Sequence, residues 1–208
     1  NTGVSNPSTA QIQWRPDGRV VLYSGAAELG QGSDTVLVQL AAERLGLEPS
    51  DIDLCRGDTD RTTNAGATSA SRQTYISGNA VLAAADNLEA LILKGARELL
   101  GGRHLDLEIR GKQISEKGGQ GRGLEVKEVA RHLASKGEEA KAGGKFDPNF
   151  NALDPETGQG RPYATYAYAA QCALVEVDKA SGQIKVKEVA AAHDVGRAIN
   201  QRAVMGQI

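Results

Sequence analysis

The chain has 208 residues, 40% hydrophobic and 24% charged, with a formal net charge of −2. That balance suits one or two domains with a real core, and it excludes a global electrostatic pull on nucleic acid or anionic membranes. Aromatic residues make up 4%, too few for recognition of bases by stacking.

Ala10 to Trp14 alternates like a strand, Arg15-Pro16-Asp17-Gly18 reads as a tight turn, and Arg19 to Tyr23 reads as the return strand. A glycine turn follows, Ser24-Gly25-Ala26-Ala27-Glu28-Leu29-Gly30-Gln31-Gly32-Ser33-Asp34-Thr35. Val36, Leu37, Leu40, Ala41 and Leu45 then recur at helical spacing, with Gly46 as C-cap. Pro49 to Asp51 reads as a turn and Ile52 to Cys55 as a strand. Gly57-Asp58-Thr59-Asp60 is a further turn, and Arg61 to Gln73 is a polar run of small residues with little periodicity. A long Ala- and Leu-rich helix is expected from Ile76 to Leu100, ended by Gly101-Gly102. A second hairpin, Leu105 to Ile109 and Gln113 to Ile114, is followed by a basic connector at Lys117–Gly123 and a short helix at Val126–Leu133. Gly143 to Pro162 reads as irregular. Tyr166 to Val177 and Gln183 to Ala192 read as a last hairpin, followed by the polar turn His193–Arg197 and a helix or loop from Ala198 to Gln207. Hairpin, polar glycine turn and helix thus occur twice, an echo suggesting repeated β-β-α units.

Cys55 and Cys172 are the two cysteines, each inside a β-like run and without metal-ligand spacing. They read as buried inert thiols in a cytoplasmic protein. No apolar run reads as long enough to cross a bilayer, and no secretory signal is recognised. The chain opens on a polar run at Asn1 and stops at Ile208 inside a patterned segment, so the expectation is a piece of a longer protein.

The Gly25–Thr35 turn joins a strand to a helix start, where glycines admit close approach and the first helical N–H groups are free donors for an anion. It lacks Gly-Lys-Ser/Thr and its spacing is not G-x-G-x-x-G. A plain connecting turn serves that spacing equally well. Gln31 favours a ligand, because its amide offers a donor and an acceptor that a plain turn does not need. Thr68-Ser69-Ala70-Ser71-Arg72-Gln73 places hydroxyls and an Arg before a long helix. An anion site with a charged fork and an ordinary helix-capping segment both fit it. Glu28, Asp34 and Asp58 are candidates for acid–base pairing, with solvated carboxylates as the plainer reading. His193-Asp194 lacks a companion nucleophile motif and reads as structural. His104 and His132 read as isolated surface residues. No H-x-x-H or C-x-x-C is present, so no protein-ligated metal is expected.

Taken together in order, Gly25-x-x-Glu28-Leu29-Gly30-Gln31-Gly32, Gly57-Asp58-Thr59-Asp60, Thr68-Ser69-Ala70-Ser71, Ser77-Gly78-Asn79-Ala80 and His193-Asp194-Val195-Gly196-x-x-Ile199-Asn200 with Gly206-Gln207 resemble the molybdopterin-binding region of the molybdenum hydroxylases. That is the xanthine dehydrogenase and aldehyde oxidase family, here most similar to bacterial large subunits such as that of 4-hydroxybenzoyl-CoA reductase. The resemblance covers essentially the whole chain. It implies that Gly30, Gln31 and Gly32 meet the pterin near its phosphate, and that Thr68, Ser69, Ala70, Ser71, Arg72 and Gln73 wrap the pyrophosphate or pterin. It also implies that Gln207 is a second pterin-binding amide and that Asn1 to Asn6 is a strand edge near the molybdenum and substrate pocket. The pterin dithiolene, not the protein, would ligate molybdenum. The family's catalytic glutamate would lie beyond Ile208, so no catalytic residue is assigned. Gln201 stands where the family often has proline, so a different local turn is expected.

The resulting expectation is an α+β fold, mixed sheets with helices packed on them. Residues 1–142 would form a first lobe segment, 143–165 a connector and 166–208 the start of a second repeat lobe. By resemblance, the parent enzyme hydroxylates or reduces an aldehyde, N-heterocycle or aryl-CoA. It would use a molybdopterin cofactor, in cytosine dinucleotide form, with 2Fe-2S and FAD subunits or domains as partners. A homo-oligomer stays open, and neither nucleic acid nor membrane is expected as a partner. The piece itself is expected to be inactive. A non-catalytic excised domain and an unrelated nucleotide-binding module are the alternatives.

Overall fold

The computed structural model describes residues 5–102, 105–118, 123–163 and 165–207. The expectations for Asn1 to Val4, His104, positions 119–122 of the basic connector and Ile208 lie outside the described residues. The fold is α+β, and the chain divides into two compact units, one within 4–149 and one within 150–208.

In the first unit, β1 (Ser8–Trp14) and β2 (Val20–Ser24) form an antiparallel hairpin with Ile12 opposite Leu22. β1 alternates strictly, burying Ser8, Ala10, Ile12 and Trp14, as a strand with one face on a core must. Helix α1 (Ser33–Leu45) carries the chain over to β3 (Ile52–Arg56), which runs parallel to β2. A 3₁₀ turn, Pro49–Asp51, leads into β3. A π-helical turn, Gln73–Ser77, opens directly into α2 (Gly78–Leu99). A small second sheet, β4 (Leu107–Arg110), β5 (Gln113–Glu116) and β6 (Leu124–Glu125), precedes α3 (Val126–Ser135). Finally β7 (Lys141–Phe146) pairs antiparallel with β1, giving the order β3-β2-β1-β7. Helix α2 packs on β1, β7, α1 and α3. Leu22, Leu37, Leu88 and Ile92 are fully buried there, and each such side chain stabilises the fold by about 1.5–3 kcal/mol.

Four expectations need correction. The stretch read as irregular from Gly143 contains the second half of β7. Its glycines do not mark a loop. A Cβ on Gly144 would sit 2.2 Å from the Ala84 nitrogen and 2.3 Å from the Ala80 carbonyl oxygen, so only glycine lets α2 lie on this strand. The long helix is also not uniform, because its first turn is π-helical. Residues Gln73–Leu99 do have the length and mean hydropathy (1.2) of a membrane span, contrary to the reading of the apolar runs. Half of that window is buried inside the protein, which marks a core helix. Finally, Cys172 is exposed and Cys55 half-buried, so neither is a buried thiol.

In the second unit, β8 (Tyr168–Val177) and β9 (Ile184–Asp194) form an antiparallel hairpin with a bulge at Leu174/Val175. Asp178 closes its turn by accepting from the Ala180 N–H and the Ser181 hydroxyl. α4 (Gln201–Met205) follows, N-capped by the Asn200 side chain, which accepts from the Ala203 N–H at 2.9 Å. Gln201 is therefore the first helical residue, where no intrahelical N–H bond is made and proline and glutamine are both accommodated. The order hairpin, polar turn, helix holds in both units, though α1 has 13 residues and α4 has 5.

Candidate functional site

Between β2 and α1 the chain folds around one carboxylate. Glu28 Oε1 accepts from the Gly30 N–H (2.7 Å) and the Gly32 N–H (2.9 Å). Its Oε2 accepts from the Asp34 N–H (3.0 Å) and the Ser33 hydroxyl (3.3 Å). Gly30 (φ +99°) and Gly32 (φ +84°) hold left-handed conformations that turn these N–H groups inward. Gly32, the N-cap of α1, has no side chain to cap with, so Glu28 caps the helix from upstream. The Asp34 N–H first, then those of Gly32 and Gly30 and the Ser33 hydroxyl, outweigh burial and hold the Glu28 carboxyl at about 2. The expectation of free helical N–H groups is thus corrected, since an internal anion already occupies them. A carboxyl held so low is also no proton donor near neutral pH.

Gln31 is exposed and fully engaged by the turn. Its Oε1 accepts from the Leu29 N–H (2.6 Å), and its Nε2 donates to the Ala27 carbonyl (3.1 Å) and to Ser33 Oγ (2.9 Å). The amide that seemed superfluous in a plain turn is part of this one.

The structure brings the two sequence-predicted segments together. The Thr68 hydroxyl donates to the same Ala27 carbonyl at 2.8 Å. Thr68 Oγ1 accepts from Gln73 Nε2 at 2.8 Å. The Ser77 hydroxyl donates to Gln73 Oε1, and the Ser8 hydroxyl lies 2.8 Å from Ser77 Oγ. A polar chain therefore runs from the glycine turn through the π turn to β1. Two local irregularities mark the segment, the π turn itself and Ala70 at φ +47°, the one non-glycine residue with positive φ among the described residues.

Arg72 does not behave as a ligand fork. It is 7% exposed, and it donates from Nε to Asn6 Oδ1 (2.7 Å) and from Nη2 to the carbonyls of Pro7 (2.7 Å) and Asn6 (3.4 Å). Its Nη1 donates to the Ala65 carbonyl. Burial without a carboxylate partner lowers its pKa. The capping reading of this segment also fails, because neither Arg72 nor Ser77 makes a side-chain cap. Ser69, Ala70 and Ser71 are exposed, and among the described residues the Ser69 and Ser71 hydroxyls make no hydrogen bond.

The remaining candidates lie elsewhere. Asp34 pairs with Arg56 at 2.5 Å, and burial raises its pKa, with the Glu28 carboxylate adding to the rise and Arg56 opposing it. Asp58 holds its own turn through the Asp60 N–H. His132 is half-buried, with Nε2 3.6 Å from Glu98 Oε2. His193 lies within β9, 3.4 Å from the Gln171 amide nitrogen. Gln207 is exposed, just beyond α4 in the second unit. Among the described residues no three of His, Cys, Asp and Glu are grouped to hold a metal. A cavity of about 170 Å³ at the C-terminal end of α1 is lined by Trp14, Arg44 and Glu89 and by none of the predicted site residues. Glu28 was weighed for proton transfer, and its capping role was missed. An acid four residues ahead of a glycine N-cap was the available signal.

A family model described as molybdopterin cofactor-binding domain matches residues 1–208. The chain is 30% identical to the "Probable hypoxanthine oxidase XdhD" of Escherichia coli over 97% of its length, and spans 20% of that protein. It is 28% identical to the carbon monoxide dehydrogenase large chain of Hydrogenophaga pseudoflava, covering 99% of this chain and 25% of that one. Among solved structures, the aldehyde oxidoreductase of Desulfovibrio desulfuricans superimposes with TM-score 0.76 at 27% identity, covering 99% of this chain and 20% of that one. The chain thus spans about a fifth to a quarter of the length of the relatives it matches.

Proposed function

This chain belongs to the molybdopterin cofactor-binding domain family, and from that premise we propose that the 25–35 turn and the 68–73 segment form one wall of a molybdopterin cradle. The observation that carries the reading is the Ala27 carbonyl, which accepts from both Gln31 and Thr68. One residue from each segment is fixed to the same atom, so a ligand touching one segment meets the other.

The donors present fit such a group. Ser69 and Ser71 offer exposed hydroxyls, and Gln31 offers an exposed amide oxygen as acceptor beside them. The buried Arg72 charge and the start of the helix behind them add positive potential suited to an anionic phosphate. Gln207 is assigned to the same cofactor by resemblance alone. When bound, the cofactor supplies the redox chemistry, and the residues here bind and orient it.

The finer assignments are part of the proposal. The cytosine dinucleotide form is proposed by resemblance alone. Iron–sulfur and flavin partners are supported by a relative whose name is that of a large chain. The substrate is proposed to be an aldehyde, N-heterocycle or aryl-CoA, and the catalytic glutamate is placed outside these residues. A three-part division at 1–142, 143–165 and 166–208 is retained as a proposal, as is a cytoplasmic location, which the two free cysteines support.

The test is cofactor content. Gln31→Ala and Thr68→Val in the complete protein are each expected to lower bound pterin and molybdenum by about tenfold, the equivalent of one charge-free hydrogen bond or slightly more. Wild-type content in both variants would refute the cradle.

A further inference from the structure

The Gln31 amide can sit in the turn in two ways, with oxygen and nitrogen exchanged, and its partners permit one. The Leu29 N–H needs an acceptor and finds Gln31 Oε1 at 2.6 Å. The Ala27 carbonyl needs a donor and finds Nε2 at 3.1 Å. The third constraint comes from Ser33, a hydroxyl able to donate or accept. Its proton points to Glu28 Oε2, an acceptor-only carboxylate, so only lone pairs remain for Gln31, and Nε2 must face it.

We propose that Glu28 is a positioning residue, whose carboxylate acts through the Ser33 hydroxyl to fix which end of the Gln31 amide the turn presents. The inference rests on the reading of Gln31 as a cofactor contact. It goes beyond it by assigning the side chains that set that contact's polarity. The geometry separates two tasks of one carboxylate. Its bonds to the Gly30, Gly32 and Asp34 N–H groups shape the turn. Its bond to Ser33 orients Gln31. Ser33 is 3% exposed, so water does not readily substitute for either partner.

Residue-resolved amide exchange on the complete protein tests the two tasks separately. In Glu28→Gln, an amide nitrogen replaces one carboxylate oxygen and opposes N–H donors. The Gly30, Gly32, Asp34 and Leu29 amides are expected to exchange about ten- to hundredfold faster. In Ser33→Ala the first three amides are expected to stay within about threefold of wild type, because Glu28 remains in place. Leu29 alone is expected to speed up by about fivefold, because the Gln31 amide that accepts from it loses one of the three bonds that hold it. Bound pterin is expected to fall in both variants. A Leu29 amide unchanged in Ser33→Ala overturns the proposal, and so does a turn unchanged in Glu28→Gln. If Gln31→Ala keeps its full cofactor, the cofactor reading fails, while the Leu29 pattern still decides whether Glu28 orients the amide.

Discussion

Replacing Arg72 with Met should loosen the protein itself before it loosens any ligand. The guanidinium holds Asn6 Oδ1, the Pro7 carbonyl and the Ala65 carbonyl, with the Asn6 carbonyl at longer range. A hydrogen bond from a charged group contributes about 1.5–3 kcal/mol, and the desolvation of a buried cation offsets part of that. Because the oxygens share one donor group, their losses do not add, and a net cost of about 2–4 kcal/mol follows for Arg72→Met. Arg72→Lys keeps the charge but gathers its N–H donors on one nitrogen, which cannot span residues 6, 7 and 65 together. It should fall between wild type and Met. Urea unfolding followed by the single tryptophan, Trp14, buried in β1, gives the midpoints. If Arg72→Met unfolded at the wild-type midpoint and lost cofactor alone, the guanidinium would have to contact the ligand directly, and the structural assignment would be wrong.

Two neighbouring glycines in β7 should behave oppositely. Gly144→Ala forces a Cβ to within 2.2 Å of the Ala84 nitrogen and should destabilise by about 1–3 kcal/mol or more. Gly143→Ala, with 3.7 Å to its nearest neighbour, should shift stability by less than about 0.5 kcal/mol. Equal unfolding midpoints for the pair would refute the close helix–strand approach. Glu28 predicts an acid dependence. Its carboxyl falls from the ordinary 4.5 to about 2 on folding. The stability it adds is therefore fully present above the unfolded value and is lost as pH falls through the folded one. The stability difference between wild type and Glu28→Gln should shrink across that window, and a constant difference there would count against the capping role.

Much of the fold was legible because it follows local rules. The β1 alternation, the Gly46 αL cap at φ +66° and the Ala-rich α2 all came from periodicity and glycine chemistry. β7 was not legible, because Gly144 is set by a helix that comes from 60 residues earlier in the chain. Loop chemistry and close packing use the same residue type. At the site, the two segments were legible from their polar composition, and their joint anchoring at Ala27 was not. A backbone carbonyl has no side-chain signature. Arg72 misled for the same reason, because its four partners are carbonyl oxygens, which sequence does not distinguish.

The filled nest at α1 changes how the two segments can divide the work of holding an anionic cofactor. A strand–glycine–helix turn ordinarily offers its N–H groups to phosphate, but here Glu28 holds those of Gly30, Gly32 and Asp34 as a full negative charge. A phosphate placed there would have to displace Glu28 or lie beside a like charge. At 69–71 the balance is reversed. The Ser69 and Ser71 hydroxyls are exposed, and among the described residues no carboxylate is bonded to them or to the buried Arg72 cation one residue on. Under the proposed reading, the negative end of the ligand belongs at 69–71. The 25–35 turn then contributes a neutral amide, Gln31, whose two N–H groups are spent within the turn and whose oxygen keeps a lone pair for a heterocycle N–H. Charge reversal separates these roles. Ser71→Asp should reduce bound cofactor far more than Gln31→Glu reduces it per charge added, because only the first places a carboxylate where the phosphate is expected. Equal losses would mean the turn, and not the 69–71 segment, faces the anion.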